Sequence, residues 1–167
     1  LTASVAFMPL VFEMGVMQKT RPGFIFENSF TMLYAFKITF IFTLFAFMTS
    51  MAREIIKDIE DFKGDRETGG MTMPIVWGIR TSKFNAFFML IITALLLLFV
   101  VYNTIRAQRI LSSINNLYVL FTLTVPLIIL ALYTLKANQS KQFKKASLFL
   151  KLIMLAGLCY SFIFYHT

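Results

Sequence analysis

Long apolar runs separated by short charged segments dominate this chain. Residues 84–105 and 110–135 contain no Asp, Glu, Lys or Arg, and 29–52 contains only Lys37. Two weaker runs flank them: 1–18, apolar except for Glu13, and 146–165, apolar except for Lys151. A helix rises about 1.5 Å per residue, so a run of this length reaches across a hydrocarbon core of about 30 Å. Any one run could be the core helix of a soluble domain. A soluble chain of 167 residues could not cover the whole set. The pattern predicts an all-α membrane protein with about five transmembrane helices, over 1–18, 29–52, 84–105, 115–135 and 146–165. The first run opens at Leu1 inside apolar sequence, with no initiator Met and no basic leader. That disfavours a signal peptide and suggests the later part of a longer protein.

Composition sharpens this reading. Hydrophobic residues make up 58% and charged residues 14%, where a soluble domain carries about 25% charged. The net charge of +8 does not imply nucleic acid, because the cations sit between apolar runs, where they meet lipid headgroups and set orientation. Segments 53–83 and 136–151 hold Arg53, Lys57, Lys63, Arg66, Arg80, Lys83, Lys136, Lys141, Lys144, Lys145 and Lys151, against Lys19, Arg21, Arg106 and Arg109 on the alternate segments. The bias predicts 53–83 and 136–145 on the cytoplasmic face of the cell inner (plasma) membrane, with Lys37 snorkelling to an interface. Thr81 or Ser82 is expected to cap the helix after the long loop. Pro126 is expected to kink its span. Tyr102, Tyr118 and Tyr133 suit interfaces, and the single Cys159 reads as a small buried hydrophobe.

The acids are the sharpest feature. Six of eight fall within 53–67 (Glu54, Asp58, Glu60, Asp61, Asp65 and Glu67), giving that segment a net charge of −2 in a chain whose remainder totals +10. Asp58, Asp61 and Asp65 are spaced i, i+3 and i+7, one face of a helix continuing from 29–52, with Ile55, Ile56, Ile59 and Phe62 on the apolar side. Stacked carboxylates repel unless a cation joins them, and oxygen ligands with room for water and phosphate suit Mg²⁺. Arg53, Lys57 and Arg66 have the chemistry to hold the same phosphates. The alternative at this point is a solvated helix laced by i,i+4 pairs such as Lys57 with Asp61.

The stretch REIIKDIEDFKGDRETGGMTMPIVWG, residues 53–78, resembles the second aspartate-rich motif of the UbiA-type intramembrane prenyltransferases, a D-x-x-x-D pair followed by G-D-R and a small-residue stretch ending in P-x-x-x-G. The apolar runs resemble helices five to nine of that nine-helix fold. The resemblance implies that the whole chain, 1–167, is the C-terminal part of one prenyltransferase membrane domain, with 53–83 its cytoplasmic aspartate-rich helix end and loop. It implies Mg²⁺-dependent transfer of a prenyl group from an isoprenyl diphosphate to an aromatic or lipid-type acceptor associated with the membrane. By the same resemblance Asp61 and Asp65 bind metal and act in catalysis, Asp58 is an additional metal ligand, and Lys57 contacts the diphosphate. The spelling is closer to members acting on geranylgeranylglycerol phosphate or on chlorophyll-type and aromatic acceptors. The family's first aspartate motif is absent, since the only aspartates are 58, 61 and 65. This implies missing N-terminal helices and a chain inactive alone.

Thr72, Met73 and Trp77 are candidates for the loop over the site. No general base is evident, and His166, one residue from the end, reads as a terminal surface histidine. The competing class is a transporter or structural membrane subunit, with Glu13 and Lys37 its intramembrane charges. The absence of acids in 84–105 and 115–135 argues against it.

Overall fold

The computed structural model describes residues 29–106 and 112–166, with side chains described over 36–106 and 115–160. The expected span 1–18, and Glu13 with it, lies outside the described residues. The described elements are helices: α1 Ser29–Glu60, α2 Phe62–Glu67, α3 Met73–Trp77, α4 Ile79–Arg106, α5 Ser112–Tyr118, a π-helical segment Val119–Thr124, α6 Val125–Lys136 and α7 Ser140–His166. Among the described residues three stretches are long and apolar enough to cross a membrane: Phe36–Glu60, Ile79–Arg106 and Asn115–Lys136. The expected run 146–165 lies wholly within α7. The chain is thus a multi-pass, all-α membrane protein.

The chain divides at Ser50/Met51 into two compact units. In the first, α1 buries Thr43, Phe45 and Thr49, and the Thr49 hydroxyl donates to the Phe45 carbonyl at 2.7 Å.

The second unit is built on α4, which packs along α5, the π segment and α6. Its buried residues are Ser82, Ala86, Leu90, Thr93, Ala94, Leu97 and Val101, a stripe at three- and four-residue spacing that marks one helix face. Ser82, Ala86 and Ala94 are small, and small residues let membrane helices approach where no hydrophobic effect drives them together. Helix α6 buries Leu127, Leu130, Ala131 and Thr134, and α7 packs on α6 with Phe143, Ala146, Ser147, Leu150 and Ile153 buried. Phe84, Phe88, Leu95, Phe99, Leu155 and Leu158 are exposed, as a lipid-facing surface requires. Cys159 belongs to that surface and is exposed. The expectation of a buried thiol fails because position 159 falls off the α7 stripe. Tyr102 and Tyr133 are exposed. Tyr118 instead turns inward, donating to the Ala156 carbonyl at 2.9 Å and stacking on Tyr160.

Buried hydroxyls bond within their own helices. Thr93 donates to Met89 O at 2.8 Å and Thr134 to Ala131 O at 2.7 Å, the satisfaction that a waterless core demands. Pro126 sits at a change of helix type. Having no N–H for the preceding turn, it follows a π-helical widening in which the Val125 amide bonds Leu120 O and the Thr124 hydroxyl bonds Val119 O at 3.0 Å, both five residues back.

Candidate functional site

Helix α1 carries its apolar register to the end of the membrane-length stretch Phe36–Glu60. Ala52, Ile55, Ile56 and Ile59 are buried, which fixes the helix's rotation. That leaves Glu54 and Lys57 exposed and Asp58 half-buried. The structure corrects the expectation of one unbroken helix through Asp65. The chain bends at Asp61, whose φ of −88° and ψ of 3° lie in the bridge region. A short helix, α2, follows. Two helix-type hydrogen bonds nevertheless cross the bend, Asp61 N–H to Lys57 O at 2.9 Å and Asp65 N–H to Asp61 O at 3.0 Å. The Ser140 hydroxyl, at the start of α7, donates to the carbonyl of Glu60 at 3.1 Å and pins the end of α1.

Asp58 lies one turn before the bend and Asp65 one turn after it, both half-buried, with Asp61 exposed between them.

A glycine turn holds Asp65. Helix α2 closes with an ordinary helix bond, Thr68 N–H to Gly64 O at 3.1 Å, and with the six-to-one bond of a Schellman-type stop, Gly70 N–H to Asp65 O at 2.8 Å across Gly69. Gly69 has φ 74°, the left-handed conformation such stops require. A Cβ on Gly70 would lie 3.2 Å from Asp65 O. The chain then enters α3, which buries Pro74, and leaves it through Gly78 at φ 86° and ψ 153°, a region open essentially to glycine alone. Gly78 O accepts both the amide and the hydroxyl of Ser82, at 3.2 and 3.0 Å. Ser82 therefore does not cap α4 as expected; the helix begins at Ile79, directly after Gly78.

Among the described residues, two buried side-chain polar atoms have no hydrogen-bond partner: Arg53 Nε and Thr72 Oγ1. Such a group costs about 1–3 kcal/mol when left unpaired. Arg66 and Asp61 are exposed, Asp65 and Met73 half-buried, and Trp77 exposed. The side chain of His166 lies outside the described ones. Among the described residues no three His, Cys, Asp or Glu groups are placed to share one metal ion. Mg²⁺ does not need three, since it keeps several waters and takes one or two carboxylates together with substrate phosphates. The donor set around Asp58 fits that mode and not an all-protein cage.

Sequence reasoning named the acids and cations. It did not identify Ser140, eighty positions from Glu60, or the part played by Gly69 and Gly70 in fixing Asp65. The glycine pair was visible as a turn, but the carbonyl it ties down was not.

The chain is similar to digeranylgeranylglyceryl phosphate synthases. It is 34% identical to that of Methanosphaera stadtmanae over 117 residues, 70% of this chain and 40% of the relative. To that of Methanobrevibacter smithii it is 34% identical over 118 residues, 70% and 39%. A shorter stretch of 40 residues is 58% identical to that of Thermococcus sibiricus, 24% of this chain and 14% of the relative. The chain thus spans 40% or less of the length of these relatives. No family model matches it, and no solved structure does. These findings correct the assignment to the UbiA-type family and the nine-helix fold read from it. These relatives are named for one lipid-phosphate product. The resemblance to the UbiA-type family was specific only over residues 53–78. The expectation of an enzyme of the prenyltransferase type agrees with the relatives.

Proposed function

We propose that this chain forms part of a membrane domain that transfers a geranylgeranyl group from its diphosphate to a lipid acceptor bearing glyceryl phosphate. The observation that carries this reading is the run of Asp58, Asp61 and Asp65 about the bend that ends a helix long enough to span a membrane, in the same segment as Arg53, whose Nε is buried without a partner. The similarity to digeranylgeranylglyceryl phosphate synthases supports it and favours a lipid acceptor over an aromatic one.

In this reading Asp61, Asp65 and Asp58 are the carboxylates that would hold Mg²⁺, one or two of them to an ion. Arg53 and Arg66 grip its oxygens with forked donors, and Lys57 supplies a point charge. Bound Mg²⁺ supplies positive charge that stabilises the departing diphosphate as the allylic C–O bond breaks. Thr72 Oγ1 offers a further donor or acceptor from the loop. The apolar helices exclude water from the allylic end while an acceptor hydroxyl oxygen forms the new C–O bond and gives up its proton to the departing diphosphate. Segments 53–83 and 136–145 face the cytoplasm, where soluble Mg²⁺ is at hand. The test is Mg²⁺-dependent turnover of geranylgeranyl diphosphate by the full-length protein and by Asp61→Asn and Asp65→Asn variants. Turnover that survives both substitutions excludes this site.

A further inference from the structure

A second polar feature lies on the same side of the second unit and shares no residue with the aspartate face. Ile79, Arg80, Lys83, Phe84, Leu135 and Asn138 line an open cleft of about 490 Å³ between the start of α4 and the end of α6. No carboxylate lines it. Lys83 Nζ donates to the carbonyl of Ala137 and to Asn138 Oδ1, the latter at 2.9 Å, and lies 5.4 Å from the centre of the Phe143 ring. These contacts hold the ammonium in place and leave one of its three N–H groups over. Because Asn138 accepts with its oxygen, its amide N–H groups are left to donate. The Arg80 side chain is exposed and makes no hydrogen bond or ion pair among the described residues. Three kinds of donor, two of them cationic, therefore line one cleft with donor capacity left over.

The cleft's depth and walls identify the ligand. Helix α4 has 28 residues, about 42 Å at 1.5 Å per residue, against a hydrocarbon core of about 30 Å. Its first turns, which carry Arg80 and Lys83, stand at headgroup level. Below them Phe84 and Phe88 are exposed, at 60% and 53%, and Leu135 borders the same opening at 38%. A phosphate at Arg80 and Lys83 thus continues directly into a surface suited to acyl or isoprenoid chains. Basic pockets between membrane helices at this level bind anionic headgroups.

We propose that this cleft binds the phosphate of an anionic membrane lipid, with Arg80, Lys83 and Asn138 as its donors and Phe84 and Leu135 against its chains. The experiment uses the full-length protein in nanodiscs of equal parts phosphatidylglycerol and phosphatidylcholine, released and analysed by native mass spectrometry. Wild type retains phosphatidylglycerol over phosphatidylcholine. Arg80→Gln lowers that retention about tenfold, the effect of losing one charge-assisted hydrogen bond. Arg80→Lys keeps most of it, and Lys144→Gln, an exposed cation outside the cleft, leaves it unchanged. Inorganic phosphate at millimolar concentration does not displace the lipid. Equal retention of the two lipids overturns the proposal, and so does an equal loss in Arg80→Gln and Lys144→Gln, which would mark diffuse charge. Displacement by inorganic phosphate overturns it as well, marking a site for the free anion.

Discussion

Replacing Gly69 with Ala should loosen the aspartate site without touching any of its side chains. Gly69 stands at φ 74°, where an L-residue's Cβ costs about 1–2 kcal/mol. A Cβ there meets nothing within 4 Å, so the penalty is one of backbone conformation and not of crowding. It falls on the turn whose Gly70 amide bonds Asp65 O at 2.8 Å. At about 1.36 kcal/mol per tenfold, local opening should increase roughly 5- to 30-fold. The assay is hydrogen exchange of the Thr68–Met71 amides in the purified full-length protein. Gly69→Asn should recover most of the protection, because Asn tolerates the left-handed region. Gly64→Ala is the opposing control. Gly64 lies in α2 with nothing within 4 Å of an added Cβ, so Ala there should stabilise by about 0.4–1 kcal/mol and slow exchange. If Gly69→Ala and Gly64→Ala shift exchange in the same direction, the turn does not hold Asp65 as described.

Further outcomes follow from the same geometry. Gly78→Ala, at φ 86° and ψ 153°, should cost about 1–3 kcal/mol, read as faster exchange at Ser82; unchanged exchange contradicts the backbone assignment. Ser140→Ala removes the 3.1 Å bond to Glu60 O and should cost about 0.5–1.5 kcal/mol, seen as a lower melting temperature with Mg²⁺ affinity unchanged; a melting temperature equal to that of wild type contradicts it. With the exposed Cys159 replaced by Ala, a thiol probe should label Met71→Cys from the cytoplasmic side and Asn103→Cys from the opposite side; the reverse pattern refutes the orientation.

Much of this architecture was legible because a membrane simplifies the code. Uncharged runs such as 84–105 have little choice but to be helices, and the π-helical widening before Pro126 follows from its missing N–H. The register of α1 was equally plain, since Ile55, Ile56 and Ile59 could face only the protein. The bend at Asp61 was not legible. Periodicity continues smoothly through it, and the hydroxyl that pins the preceding carbonyl comes from Ser140, far away in sequence. Cys159 and Tyr118 were misplaced for a related reason. In lipid both faces of a helix are apolar, so hydropathy alone does not say which face is buried. The family failed at a different level, because the resemblance rested on one short motif, residues 53–78.

The central claim rests on the charge of Asp61 and Asp65. Changing either to Asn removes a charge while nearly keeping the shape, and stabilisation of charge developing on a leaving group contributes about 3–4 kcal/mol per key interaction. Glu60 and Glu67 are nearby acids assigned no part in the site, and a surface charge contributes about 0.3–0.5 kcal/mol. The decisive measurement is Mg²⁺-dependent turnover of geranylgeranyl diphosphate by equally expressed full-length variants in the membrane. The account predicts a loss of roughly 10²- to 10³-fold for Asp61→Asn and Asp65→Asn, and at most about twofold for Glu60→Gln and Glu67→Gln. Aspartate variants that retain activity within about twofold of the glutamate variants would contradict it.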